Sequence, residues 1–106
     1  MAFTEKSLAR QAVSDTAETV FTATTTTIVK DIHIANNGSS DCYVSVWLVP
    51  DGDSADDENI FLYQWNIPAN YFGHWNGWQV LSDGDTIVAQ SETADQITIH
   101  IAGAEI

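Results

Sequence analysis

The sequence predicts an all-β fold: an antiparallel β-sandwich, jelly-roll or immunoglobulin-like in topology, with an extended N-terminal arm. Three observations carry this. From Glu18 onward β-branched and aromatic residues dominate, turn signals recur at intervals of roughly 8 to 12 residues, and no long stretch holds a helical period. A chain of 106 residues has material for one core only. The expected division is therefore an arm over residues 1–16 and a sandwich over residues 17–106.

The arm is polar, lacks a sustained period and holds Lys6 and Arg10; a short helix over Ser7–Val13 is the one element it suggests. Strands are expected over Thr19–Thr22, Thr26–Ala35, Tyr43–Val49, Ile60–Trp65, Gly73–Val80, Thr86–Gln90 and Gln96–Ala102. Between them, Asn36-Asn37-Gly38-Ser39 and Ser82-Asp83-Gly84-Asp85 supply residues that tolerate positive φ. Pro50 and Pro68 follow strands at positions where no ladder donor is needed.

The last strand assigns its faces most clearly, because Ile97, Ile99 and Ile101 alternate with Gln96, Thr98 and His100. The same logic places Ile28, Ile32, Ile34, Val44, Val46, Leu48 and Ile87 with them in the core. Tyr43, Ser45, Trp47 and Val49 stand opposite the apolar set of their strand. Two large aromatics on an outer face predict a cover, whether a loop, the arm or another subunit.

Charge narrows the partners. Fifteen acidic residues against three basic ones give a net charge of -12, which repels phosphate and anionic lipid. Nucleic acid and membrane are thereby disfavoured, and no apolar run approaches the roughly 20 residues of a membrane span. The single cysteine, Cys42, excludes an internal disulfide and reads as a small buried thiol at a strand start. The first residues show no apolar stretch of the signal-peptide kind, so synthesis in the cytoplasm is expected.

Chemistry, if any, sits among the aromatics. Phe61, Tyr63, Trp65, Tyr71, Phe72, Trp75 and Trp78 are close in sequence. Trp65, Trp75 and Trp78 would suit stacking on sugar rings, with Asn70 or Asn76 as hydroxyl partners; the same side chains equally serve as core fillers or subunit anchors. The acidic run Asp51, Asp53, Asp56, Asp57 and Glu58 fails the EF-hand spacing, and a solvated loop is expected. His33 and His100 occupy matching stretches, Ile32-His33-Ile34-Ala35 and Ile99-His100-Ile101-Ala102, and would approach each other if those strands paired. Two imidazoles without a third convergent group make a poor metal site. There is no nucleophile elbow, suggestive Cys–His pair or phosphate-binding glycine loop, so no enzyme, cofactor or metal is expected.

The order of segments carries a resemblance. Ser7-Leu8-Ala9-Arg10-Gln11 is followed by Thr19-Val20-Phe21-Thr22-Ala23 and Thr27-Ile28-Val29-Lys30-Asp31-Ile32-His33-Ile34-Ala35-Asn36. Then come Val44-Ser45-Val46-Trp47-Leu48-Val49-Pro50, Val80-Leu81-Ser82-Asp83-Gly84-Asp85-Thr86-Ile87 and the ending Ile101-Ala102-Gly103-Ala104-Glu105-Ile106. This pattern resembles the small β-sandwich virion structural proteins of tailed bacteriophages, from which the chain departs by its acidity and its four tryptophans. The resemblance implies a non-enzymatic structural role in the virion, foremost a capsid decoration or cement subunit made in the host cytoplasm. Its partner would be the major capsid protein or a tail protein, and its state a homo-oligomer, with a trimer favoured. The alternative is a glycan-binding, receptor-binding module of a tail tip or fibre. The interface is expected on Phe3, Lys6, Leu8, Arg10 and Val13 of the arm, ordered only on a partner, and on Tyr43 and Trp47.

Overall fold

The computed structural model describes residues 2–106. Its strands are β1 (Thr4–Ala12), β2 (Glu18–Thr22), β3 (Thr27–Asn36), β4 (Cys42–Val49), β5 (Ile60–Ile67), β6 (Tyr71–Leu81), β7 (Thr86–Ser91) and β8 (Ile97–Glu105). One turn of 3-10 helix, Asp57–Asn59, precedes β5. The strands form two four-stranded antiparallel sheets packed as a sandwich: a front sheet in the order β1-β8-β3-β6 and a back sheet in the order β2-β7-β4-β5. The pairs β1·β8, β2·β7, β3·β6 and β4·β5 trace one long antiparallel ribbon, folded so that successive pairs fall into opposite sheets.

Alternation supplies the core. Ile32 and Ile34 of β3, Ile99 and Ile101 of β8, Val44 and Val46 of β4 and Ile87 of β7 are fully buried between the sheets. Burying a side chain of this size contributes roughly 1.5–3 kcal/mol, so this cluster is the main source of stability. Two expected core residues sit elsewhere. Leu48 is half-buried against the cluster. Ile28 is buried but lies outside the cluster, in register with Val80 and Ala104, because a bulge between Val29 and Asp31 shifts the alternation.

The N-terminal segment is not an extended arm, nor does it form the helix suggested over Ser7–Val13. It is edge strand β1, hydrogen-bonded to β8 from Thr4↔Glu105 to Ala12↔Thr98. Without it the outer edge of β8 would present unpaired N–H and C=O groups, and the ladder satisfies them. Leu8, Ala9 and Val13 join the core cluster, so the apolar side chains expected to grip a partner close the chain's own sandwich. Lys6 Nζ bonds Glu105 Oε1 at 2.8 Å across the same ladder.

Buried polar groups fix the register. Asn36 donates through Nδ2 to the carbonyls of Ser40 (3.0 Å) and Ile67 (2.9 Å), while its Oδ1 accepts from Gly38 N (2.9 Å) and Gln96 Nε2 (3.1 Å). One side chain thus ties β3, β5 and the start of β8. Ser91 Oγ donates to Thr93 O at 2.7 Å and reaches Val13 O at 3.3 Å. Among the described residues no buried side-chain nitrogen or oxygen lacks a partner. Gly84, at φ 92°, makes the Ser82–Asp85 turn, and Asp85 caps it by accepting from Ser82 N (2.8 Å) and Asp51 N (3.0 Å).

Candidate functional site

Register brings together what the sequence scatters. Arg10 pairs with His100, His100 with His33, and His33 with His74. All three histidines therefore stand in one transverse row on the outer face of the front sheet, with an arginine at its β1 end. The His33 ring lies 6.2 Å from each neighbouring imidazole and stacks on Phe72 at 5.0 Å. His74 Nε2 lies 2.7 Å from Asp31 Oδ2; both side chains are well exposed, so this contact contributes at most about 1 kcal/mol. Among the described residues no three His, Cys, Asp or Glu side chains converge on one cation position.

The same face collects the cations. Lys6, Arg10 and Lys30 lie on β1 and β3, so every basic side chain belongs to the front sheet. Of the fifteen acidic side chains only Glu5, Asp31 and Glu105 lie on its strands, which leaves these strands balanced when histidines are counted neutral. The other twelve acids belong to the back sheet and the loops, where no base offsets them.

Apolar exposure follows the same division. Along β6 the outward positions Phe72, His74, Asn76, Trp78 and Val80 form a ridge, and Trp78 is 58% and Val80 57% exposed. Lys30 Nζ sits 5.9 Å from the Trp78 ring centroid, within reach of a cation–π attraction. Across the sheet the outward positions on either side of the histidine row are small: Ala12, Thr98 and Ala35 on one side and Ala102 on the other. At one end a hollow of about 520 Å³ opens between His33, Asn37, Asn70, Tyr71 and Phe72.

The three tryptophans expected to stack on ligand do not act together. Trp65 and Trp75 are half-buried and plug the β5/β6 side of the sandwich, where Phe61 meets Trp75 edge-on at 4.9 Å. A Cβ added to Gly73 would come within 2.6 Å of the Trp65 ring, and one added to Gly77 within 2.7 Å of Trp75, so these glycines make room for indoles. Trp78 alone faces outward, with Asn76 nearby on the ridge and Asn70 beside the hollow. Tyr43 is exposed and Trp47 half-buried on β4 of the back sheet, away from the histidine row. Phe3, just ahead of β1, is exposed.

The acidic run folds as a capped loop. Asp56 Oδ1 accepts from Glu58 N at 3.2 Å at the start of the 3-10 turn, and Asp53 Oδ1 accepts from Ser54 N at 2.9 Å. No helix among the described residues is long and apolar enough to cross a membrane. A scan of the chain against protein-family models and a search among curated proteins both return no match.

Proposed function

We propose that the chain is a non-enzymatic structural subunit of a tailed-phage particle, in the first place a capsid decoration protein that works as a homo-oligomer. The observation that carries this reading is the outer face of the front sheet, a charge-balanced surface with an aromatic ridge on an otherwise acidic molecule. Large apolar side chains exposed along one strand of a sandwich, here Phe72, Trp78 and Val80, support a contact site. The strand order supports it: the pairs β1·β8, β2·β7, β3·β6 and β4·β5 in two four-stranded sheets describe a jelly roll, an architecture recurrent in viral shells and lectins. With β1 inside the sandwich, attachment runs through a β face and not through an ordering arm. Purified particles test this. The protein is expected at high copy number, on the shell; its absence from particles overturns the reading, and a few copies per particle move it to the tail.

The hollow beside Tyr71 and Phe72 favours a second reading, a glycan-binding module, because rings flanked by Asn37 and Asn70 offer both stacking and hydroxyl partners. Host polysaccharide should then shift the aromatic NMR resonances of Tyr71 and Phe72, which line the hollow. Resonances unchanged at millimolar sugar remove this reading.

A further inference from the structure

We infer that the outer face of the front sheet is a self-association surface, seated on the same face of a second copy of this chain. Three properties of the face select that occupant. The first is charge: the front strands hold all three lysine and arginine side chains against three acids, while the rest of the molecule carries twelve acids, eleven of them in the loops, and no base, so only the front face offers cations to an equally acidic second copy.

The second property is relief. The ridge of Phe72, Trp78 and Val80 stands on edge strand β6, while the outward residues of β8 and β1 level with its apolar members are small, Thr98 and Ala12 across from Phe72 and Ala102 and Ser7 near the level of Trp78; Arg10 and His100 stand level with His74 between them. A twofold axis running along the strands, in the plane of contact, lays the ridge of each copy over the low floor of the other. Such a face is self-complementary, as an isologous interface requires. Phe72 and Trp78 supply the aromatic anchors that dominate interface energetics.

The third is size. Four strands of nine to eleven residues make a face of about 600 Å², from a spacing of ~4.8 Å and a rise of ~3.3 Å per residue. Two such faces reach about 1,200 Å² in total, the lower end of a standard stable interface. The contact rests on the assembly reading for its use. It is tested on the purified full chain without particles, so the two ideas fail separately.

The test is sedimentation equilibrium of the wild type and three variants, each checked for a β-type circular dichroism spectrum. Trp78→Ala removes the ridge, Ala102→Glu adds charge and bulk to the floor, and Tyr63→Glu places the same charge on the back sheet. The wild type is expected to be a dimer at about 100 μM chain, with a dissociation constant raised at least tenfold by each of the first two variants and unchanged by the third. A monomer at about 1 mM would leave the face to a particle protein or a glycan and overturn the inference. So would a trimer, whose contacts are heterologous, or a dimer that responds to Tyr63→Glu and ignores Ala102→Glu.

Discussion

The front sheet is built from strands of nine to eleven residues and holds every Lys, Arg and His of the chain; the back sheet is built from strands of five to eight residues and holds none. Both contribute the same kind of side chain to the core, so the difference lies wholly in what they show to the outside. The front strands offset their three acids with all three lysine and arginine side chains, whereas the other twelve acids, Glu18 on the back sheet and eleven in the loops, meet no base.

The largest expected effect comes from removing part of the front sheet. Deleting residues 1–13 takes away β1, Leu8, Ala9, Val13 and two of the three cations, and should abolish the cooperative urea transition. A truncated chain that unfolds with the wild-type midpoint would make β1 an accessory and dissolve the distinction between the sheets. Next come the inner faces, which should not differ: Ile99→Ala in front and Ile87→Ala behind are each expected to cost about 2–5 kcal/mol by urea titration. A clear inequality would mean that the sheets do not share one core.

Asn36→Ala is expected to cost about 1–3 kcal/mol, since it removes the donor to the buried bond with the Ile67 carbonyl and the acceptor of Gly38 N. A cost near zero would show that water replaces the amide there. At the small end, Lys6→Ala should change stability by at most about 1 kcal/mol, because its partner Glu105 is reached from an exposed position. Trp78→Ala should alter stability by less than about 0.5 kcal/mol, yet it should remove most of the fluorescence open to acrylamide quenching. Larger losses would place these side chains in the core's service and not the face's.

Most strands beyond Glu18 are legible in the sequence because they carry an alternation or a bounded β-branched run, and β6 because it is rich in aromatics. Ile97, Ile99 and Ile101 name their face outright. β1 is illegible for a physical reason: it is an edge strand with its outer side in water, and the bulge between Ser7 and Ala9 buries Leu8 and Ala9 side by side, which erases period two. The front face was half legible. The matching Ile-His-Ile-Ala stretches of β3 and β8 signal that His33 and His100 are neighbours, but nothing local to His74 places it in the same row. Its position depends on the β3·β6 register, which belongs to long-range pairing. The cation segregation has the same origin, for Lys6 and Lys30 share a sheet only once β8 lies between their strands.

That placement of β8 has a consequence for how the molecule forms. β1 has no other partner in its sheet, and the contact between β3 and the rest of the front layer on that side also waits for β8. The last strand in chain order is thus the wedge that completes the layer, and loops of nearly the whole chain must close before it is rewarded. Folding governed by such distant pairings falls in the slow range, milliseconds to about a second. During synthesis the front layer stays open until the residues from Ile97 onward leave the ribosome, and through that interval the acids that dominate the rest of the chain keep unfinished copies apart.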